Sequence, residues 1–241
     1  MAPRGKLSVE PLYLQVRNLL AQRIAGGVWP PGSALPNEVD LARELGVSSG
    51  TMRKALDRLE SDRLVDRRQG RGTFVVDQAS GEVAARFSNI RDGEGRRVIG
   101  DMELLTQGKD APTSLERQRL QLDAGDLVLR TARLRRHTNR PFMYEEVALA
   151  MGRFPGLSAP DAGGLRISAL AQRHGIHLAR ALEGVALEQA TAQVAERLRV
   201  TARAPLLRLD RTIWAANGHP VEWRVALCSL EAGLHYVADM G

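Results

Sequence analysis

The chain has a single cysteine, Cys228, three lysines, and only 4% aromatic residues among 241. One thiol excludes a disulfide framework and a cysteine-built zinc cluster. With Lys6, Lys54 and Lys109 as the whole supply, Schiff-base chemistry has few candidates. No apolar run is long enough to cross a bilayer, and the opening "MAPRGKLSVEP" lacks the apolar centre of a signal peptide. These absences set the expectation of a cytoplasmic protein with no membrane association and no cofactor.

Arginine is what the sequence has in excess, and the net charge is +6. Its planar fork suits phosphate and carboxylate, so an anionic partner fits the composition. Hydrophobic residues at 44% and charged residues at 26% are those of a globular protein, and the length allows two ordinary domains.

In the first domain Leu12, Val16, Leu19, Leu20 and Ile24 recur at helical spacing, and Gly26-Gly27 stops them. After the rigid turn "WPPGSALP", Asn37 caps a short helix from Glu38 to Leu45, and Ser48 caps a third that runs to about Asp62. On that third helix Met52, Ala55, Leu56 and Leu59 form the inward stripe, with Ser49, Gly50, Arg53, Lys54 and Asp57 opposite. A strand from Leu64 to Arg68, the turn Gln69-Gly70-Arg71-Gly72 and a return strand from Thr73 to Val76 follow. No acid occurs between Glu44 and Asp57, or between Asp66 and Asp77. A helix tip of small and basic residues beside a basic hairpin matches duplex DNA, the helix for a major groove and the hairpin for neighbouring phosphates or the minor groove. A solvated basic helix with an ordinary hairpin explains each feature singly, but not their agreement.

The segments "PLYLQVRNLLAQRI", "PPGSALPNEVDLARELGVSSGTMRKALDRLE" and "RRQGRGTFV" resemble the winged-helix domain of GntR-family bacterial transcription regulators, over about Glu10 to Val76. The resemblance implies that the start of the third helix reads bases and that the wing-tip glycine approaches the minor groove. Ser48, Ser49, Thr51, Arg53, Lys54, Gln69, Gly70 and Arg71 become the DNA-binding candidates, with Lys54 and Arg71 as phosphate binders. Val39 stands where family members usually carry arginine, and Ser49 where many carry arginine or another long polar residue, so the family's usual operator sequence does not carry over.

A small, polar, weakly patterned stretch from Asp77 to Asn89 marks a boundary, giving a winged-helix domain over 8–77, a linker over 78–90 and a second domain over 91–241. The "GEG" at Gly93 to Gly95 lacks the flanking strand and helix of a dinucleotide site. The second domain contains a repeat. The same 78 residues separate Arg119 from Arg197 and Arg133 from Arg211, and one more separates Pro141 from Pro220. Each copy reads as short helix, loop, strand, turn, strand, with a helix in "GLRISALAQRHGI" and a strand from Leu182 to Glu188 between them. Such halves imply an α+β domain, an antiparallel sheet with helices on one side and a cleft between the halves.

Strand alternation places Leu127, Leu129, Thr131, Arg133 and Arg135 on one face, Met143, Glu145, Val147 and Leu149 on one face of the next strand, and Arg211 among Leu207, Leu209 and Ile213. Charges on a core face are costly unless paired or used. Either Arg133 or Arg135 bridges Glu145 across the hairpin, or the face lines a cleft for an anionic or polar small molecule. The motifs "RLRR", "RPFMYEE", "ISALAQRHGI", "AERL", "PLLRLDRTIW" and "GHPVEW" resemble the UTRA ligand-binding domain of the HutC subfamily, over about Ile99 to Tyr236. That resemblance implies a chorismate-lyase-like fold and an effector such as a sugar phosphate, phosphonate, urocanate-like acid or fatty acid. It makes Arg133, Arg135, Glu145, Ser168, Glu222 and Tyr236 the effector-binding candidates. The ending "LHY" departs from the subfamily's acidic-basic-Tyr pattern, so the effector's identity does not carry over.

His174 and His177 could share a helix face, but no third ligand stands in fixed spacing and incidental histidines explain them better. The serines of "VSSGT" lack the surroundings of a nucleophile. Trp214 and Trp223 read as core or rim aromatics. The expected protein is a ligand-responsive transcription regulator, a repressor acting as a homodimer on two-fold operator DNA and released by a small anionic metabolite. An enzyme acting on an organic acid in the same cleft, tethered to DNA, is the competing class, and a constitutive DNA-binding protein is a third.

Overall fold

The structure, a computed structural model, describes residues 10–77, 87–154, 156–157, 166–231 and 233–238. The chain forms two compact units, Met1–Asp77 and Gln78–Gly241. Most of the expected linker lies outside the described residues. Its last four residues belong to the second unit, where the Phe87 carbonyl accepts from Arg211 and Ile90 is buried in a core cluster.

The first unit has helices α1 (Leu12–Ala25), α2 (Glu38–Glu44) and α3 (Ser49–Ser61) and a hairpin of β1 (Val65–Arg68) and β2 (Gly72–Val75). Leu20, Leu41, Met52 and Leu59 are wholly buried together, each burial stabilising by about 2–3 kcal/mol. Asn37 and Ser48 cap α2 and α3 as their positions require, accepting from the backbone N–H of Asp40 and Thr51. In the hairpin Val65 faces Val75 and Arg68 faces Gly72. Gly70 at φ 69° and Gly72 at φ 110° supply the left-handed turn that an L side chain resists.

The second unit is built on a six-stranded antiparallel sheet ordered β4-β5-β6-β9-β8-β7. Its strands are β4 (Asp101–Asp110), β5 (Val128–His137), β6 (Arg140–Ala150), β7 (Leu178–Gln189), β8 (Pro205–Ala215) and β9 (Pro220–Cys228). The order is palindromic because the two repeat copies each contribute a hairpin, β5–β6 and β8–β9, and these meet at β6 and β9. Helices α4 (Ser114–Leu120) and α6 (Ala192–Leu198) precede the two hairpins at equivalent places and cover one face, with Leu120 on Val128 and Ala148, and Leu198 among Leu134, Leu206 and Leu227.

Helices do not stay on one side, contrary to the expectation from the repeat. Helix α5 (Ile167–Arg173) lies on the opposite face, its Leu170 and Ala171 packed with Leu129, Val147 and Ile213. At the other end of that face a two-stranded ribbon, β3 (Ile90–Arg91) and β10 (His235–Tyr236), covers Met143, Leu209, Ala226 and Cys228. Between α5 and the ribbon a strip of sheet is left for polar side chains.

Candidate functional site

Two surfaces carry chemistry, one in each unit. In the first, the tip of α3 is small and cationic. The Ser48 hydroxyl accepts from Thr51 N–H at 3.1 Å and lies 2.9 Å from the Thr51 hydroxyl, so both side chains are tied to the helix start. Ser49, Arg53 and Lys54 are exposed on the same helix. Arg53 stands 3.3 Å from Glu38 of α2, a surface pair weak enough to be exchanged for a base edge. In the hairpin Arg67 bonds Asp57 at 2.5 Å, and Arg68 lies 4.5 Å over the Phe74 ring, so both brace the wing. Gln69, Gly70 and Arg71 are exposed at its tip, and the Arg71 guanidinium has no partner among the described residues. Val39 is exposed on α2. The structure thus brings all eight DNA-binding candidates onto the helix tip and the wing of one unit.

In the second unit the strip between α5 and the ribbon holds buried Arg133, Arg135, Glu145, Arg211, Glu222 and Arg224. Alternation puts them on one face, as read from β5, β6 and β8, and β9 adds two more. Arg135 donates to Glu145 at 2.9 Å and to the Ile99 carbonyl at 3.1 Å. Arg224 donates to the other oxygen of Glu145 at 3.3 Å and to Glu183 at 3.0 Å. Arg211 donates to Glu222 at 2.8 Å and to the Phe87 carbonyl at 2.7 Å. Arg133 is the loosest of these on Glu145, at 4.0 Å. The hairpin ion pair, one of the two readings of the sequence, therefore exists, and it is one piece of a larger network.

The network lines a pocket with about 40 Å³ of free volume, room for a few waters. Among the described residues, five arginines (Arg133, Arg135, Arg166, Arg211 and Arg224) face it against two glutamates (Glu145 and Glu222). The Nε–H groups of Arg135, Arg211 and Arg224 and the Ser168 hydroxyl are buried without a hydrogen-bond partner among the described residues. Orphaned buried donors are costly, and an anion would satisfy them. Burial pulls the Arg133 and Arg211 guanidinium pKa values down, a sign of how dry the site is. Burial alone would push Glu145 the other way, up, but Arg135, Arg224 and Arg133 hold its carboxyl at about 2.

Five of the six effector candidates line this pocket: Arg133, Arg135, Glu145, Ser168 and Glu222. Tyr236 does not. Its hydroxyl donates to Glu183 at 3.1 Å and accepts from Asn89, which places it behind the network. The candidates missed Arg166, Arg211 and Arg224. The alternation of Glu222, Arg224, Ala226 and Cys228 on β9 carried the signal for Arg224. His174 ends α5 instead of sharing a helix face with His177, and packs edge-on against Phe154. Trp214 and Trp223 are half-buried, the first under Arg180 and the second near Arg119.

A winged helix with a cationic tip, followed by a separate domain with an arginine-lined pocket, defines a DNA-binding regulator with a sensing domain. Residues 12–75 match the bacterial regulatory proteins of the gntR family, and residues 98–232, more than half the chain, match the UTRA domain. The chain belongs to the gntR family of bacterial regulatory proteins, in the branch that carries a UTRA domain. It is 29% identical over 222 residues to the HTH-type transcriptional repressor STM4068 of Salmonella typhimurium, covering 90% of this chain and 92% of that one. It is 40% identical over 82 residues to the histidine utilization repressor of Pseudomonas putida, 34% of this chain and 33% of that one. Among solved structures, the possible transcriptional regulator YydK of Bacillus subtilis shares the fold at a TM-score of 0.56 and 18% identity, over 96% of this chain and all of that one.

Proposed function

We propose that this regulator is a homodimeric repressor whose winged helices hold a two-fold operator, and which lets go when an anionic metabolite enters the arginine pocket. One observation carries the sensing half: among the described residues five arginines face the pocket against two glutamates, and buried N–H donors there lack partners. The ligand's anionic group is compact, a carboxylate or phosphate, because the free volume admits little more. Arg133, Arg135, Ser168 and Arg211 bind it, while Glu145 and Glu222 orient the arginines. Such a ligand shifts operator affinity only through a difference in its affinity for two arrangements of the protein.

On the DNA side Arg53, Ser49 and Thr51 meet base edges, Gln69 and Gly70 enter the minor groove, and Lys54 and Arg71 hold phosphates. A single winged helix reads few base pairs, so two copies are needed for useful specificity. The long edge strand β7 suits a second copy: Leu182, Val185 and Leu187 are exposed on it, and among the described residues only one of its sides is paired. The pocket senses and does not catalyse. A general acid or base works best with a pKa near the operating pH, and Glu145 is held at about 2. The setting is the cytoplasm, where operator DNA is.

The test starts by selecting an operator from random duplexes, then titrates the complex with sugar phosphates, phosphonates, urocanate and fatty acids in a gel shift. One of these acids is expected to release the operator without being consumed. If none changes operator affinity, the chain is a constitutive DNA-binding protein; if the acid turns over, the pocket is catalytic.

A further inference from the structure

The helix-covered face of the second sheet has a gap. Beside α4 lies another cavity, with about 380 Å³ of free volume, well above that of the arginine pocket on the opposite face. Its floor is Ala132 on β5, Glu146 on β6, and Trp223 and Val225 on β9; Thr106 and Arg130 stand at the side. Trp223 and Val225 sit on a central strand, yet both are only half-buried. A largely apolar floor with one carboxylate in it and a few polar groups around it, sized for a small molecule, has the make-up of a ligand site.

The charge balance selects the ligand. Arg130 is fully engaged: it donates to both Glu116 oxygens at 2.7 Å, to the Ala111 carbonyl at 2.8 Å and to Asp110 at 3.2 Å. Glu116 also accepts from Thr113 N–H at 2.6 Å, so that pair is closed. Glu146 is different. One of its oxygens accepts from the Tyr144 hydroxyl at 3.0 Å, and the other has no partner among the described residues. Arg197 of α6 acts on the Tyr144 hydroxyl but does not line the cavity. Trp223 is fixed by its indole N–H, which donates to Asp210 at 2.9 Å, and Arg119 already lies 5.9 Å over its ring. A held indole and an available carboxylate together attract a cation with an apolar body.

We infer that this cavity is a second ligand site, and that it takes a small organic cation, its ammonium or guanidinium group on Glu146 and its apolar part on Trp223. The site shares its strands with the arginine pocket. Glu146 follows Glu145, and Trp223 stands between Glu222 and Arg224. An occupant on this face therefore presses on the same strands that hold the buried network on the other.

Calorimetric titration of the full chain at neutral pH tests this, with phenethylammonium chloride as the probe and sodium phenylacetate as its anionic counterpart. The wild-type chain is expected to give saturable heat with phenethylammonium. Binding should be about tenfold weaker in Glu146→Gln, the effect of removing one charge contact, and unchanged in Arg133→Met. Glu146 is exposed, so the glutamine variant keeps its fold, which a thermal melt verifies. No saturable heat in the wild type, equal affinity in Glu146→Gln, or equal loss in Arg133→Met would each overturn the assignment.

Discussion

Glu145 and Arg224 hold the same place in the two halves of the repeat, and they bond to each other across the two central strands, Oε2 to Nη1 at 3.3 Å. The 79 residues that separate Pro141 from Pro220 also separate this pair. Strands β6 and β9 run antiparallel, with Glu145 opposite Ala226 and Val147 opposite Arg224, so equivalent positions of the two copies approach near the middle of the sheet. Like charges there would repel in a dry environment; an acid in one copy and a base in the other attract. The halves have diverged in sign where the sheet's symmetry makes them neighbours.

That arrangement fixes how the second unit responds to acid. The Glu145 carboxyl is held at about 2 in the fold against an ordinary 4.5. Because the unfolded chain takes up this proton first as pH falls, the stabilisation, about 3 kcal/mol, is whole above pH 4.5 and lost as pH drops toward 2. Urea melts of the wild type across that window should weaken accordingly. Glu145→Gln should start weaker, with arginines short of their partner, and lose less over the same range. Equal losses in the two proteins would show that Glu145 is not the group responsible.

Arginines in one network are not equivalent. Arg224→Ala takes one bond from Glu145 and one from Glu183 together, leaving buried charge short of compensation at a cost of about 3–5 kcal/mol. Arg133 stands 4.0 Å from Glu145, which keeps its closer contacts to Arg135 and Arg224. Arg133→Ala is therefore expected to fold, to bind the operator as the wild type does, and to lose release by the effector. Thermal melts beside gel shifts separate the outcomes. If Arg133→Ala unfolds as readily as Arg224→Ala, Arg133 is a brace and not a ligand contact.

The legible parts of the sequence were those where one periodicity ran without interruption. Helix α3 shows its stripe, its cap and its cationic face within 15 residues, and all of it appears as read. Charges on a core face marked Arg133, Arg135 and Glu145, since alternation alone buries them. Strand β4 escaped because it lies at an edge, exposed along most of its length, so nothing forces an apolar rhythm on "DMELLTQGKD". The β3–β10 ribbon escaped for another reason. It pairs Ile90 with Tyr236, far apart in the chain, through strands of two residues each, too short to show a pattern. The position of Tyr236, whose hydroxyl meets Asn89 and Glu183, depends on that pairing.

At the DNA surface three substitutions should part company. Ser48→Ala removes the cap on Thr51 and is expected to cost about 1 kcal/mol of stability in the first unit. Arg53→Ala should leave stability alone and cost about 1–3 kcal/mol of specific binding, with relaxed base preference. Arg71→Ala should weaken binding to all sequences alike and lower the salt slope by about one. A thermal melt reads the Ser48 variant, and fluorescence anisotropy over a salt series reads the two arginine variants. An Arg71 variant with an unchanged slope would take that residue off the phosphates.

Gly100 tests how tightly the pocket wall is built. At φ 72° it is already in the region that L side chains avoid, and a Cβ there would come within 2.6 Å of Phe142 Cε1 and 2.7 Å of the Arg136 carbonyl. Phe142 is buried and cannot swing aside, so the backbone must move. That backbone carries the Ile99 carbonyl, which accepts from Arg135 at 3.1 Å. Gly100→Ala should therefore cost about 2–4 kcal/mol, strain plus overcrowding, and weaken the effector response along with stability. Gly95 is the control: its φ is 78° with nothing within 4 Å of a Cβ, so Gly95→Ala meets the strain alone, about 1 kcal/mol. Equal losses in the two variants would mean that crowding at Gly100 relaxes freely, and that Ile99 holds Arg135 less firmly than the 3.1 Å contact implies.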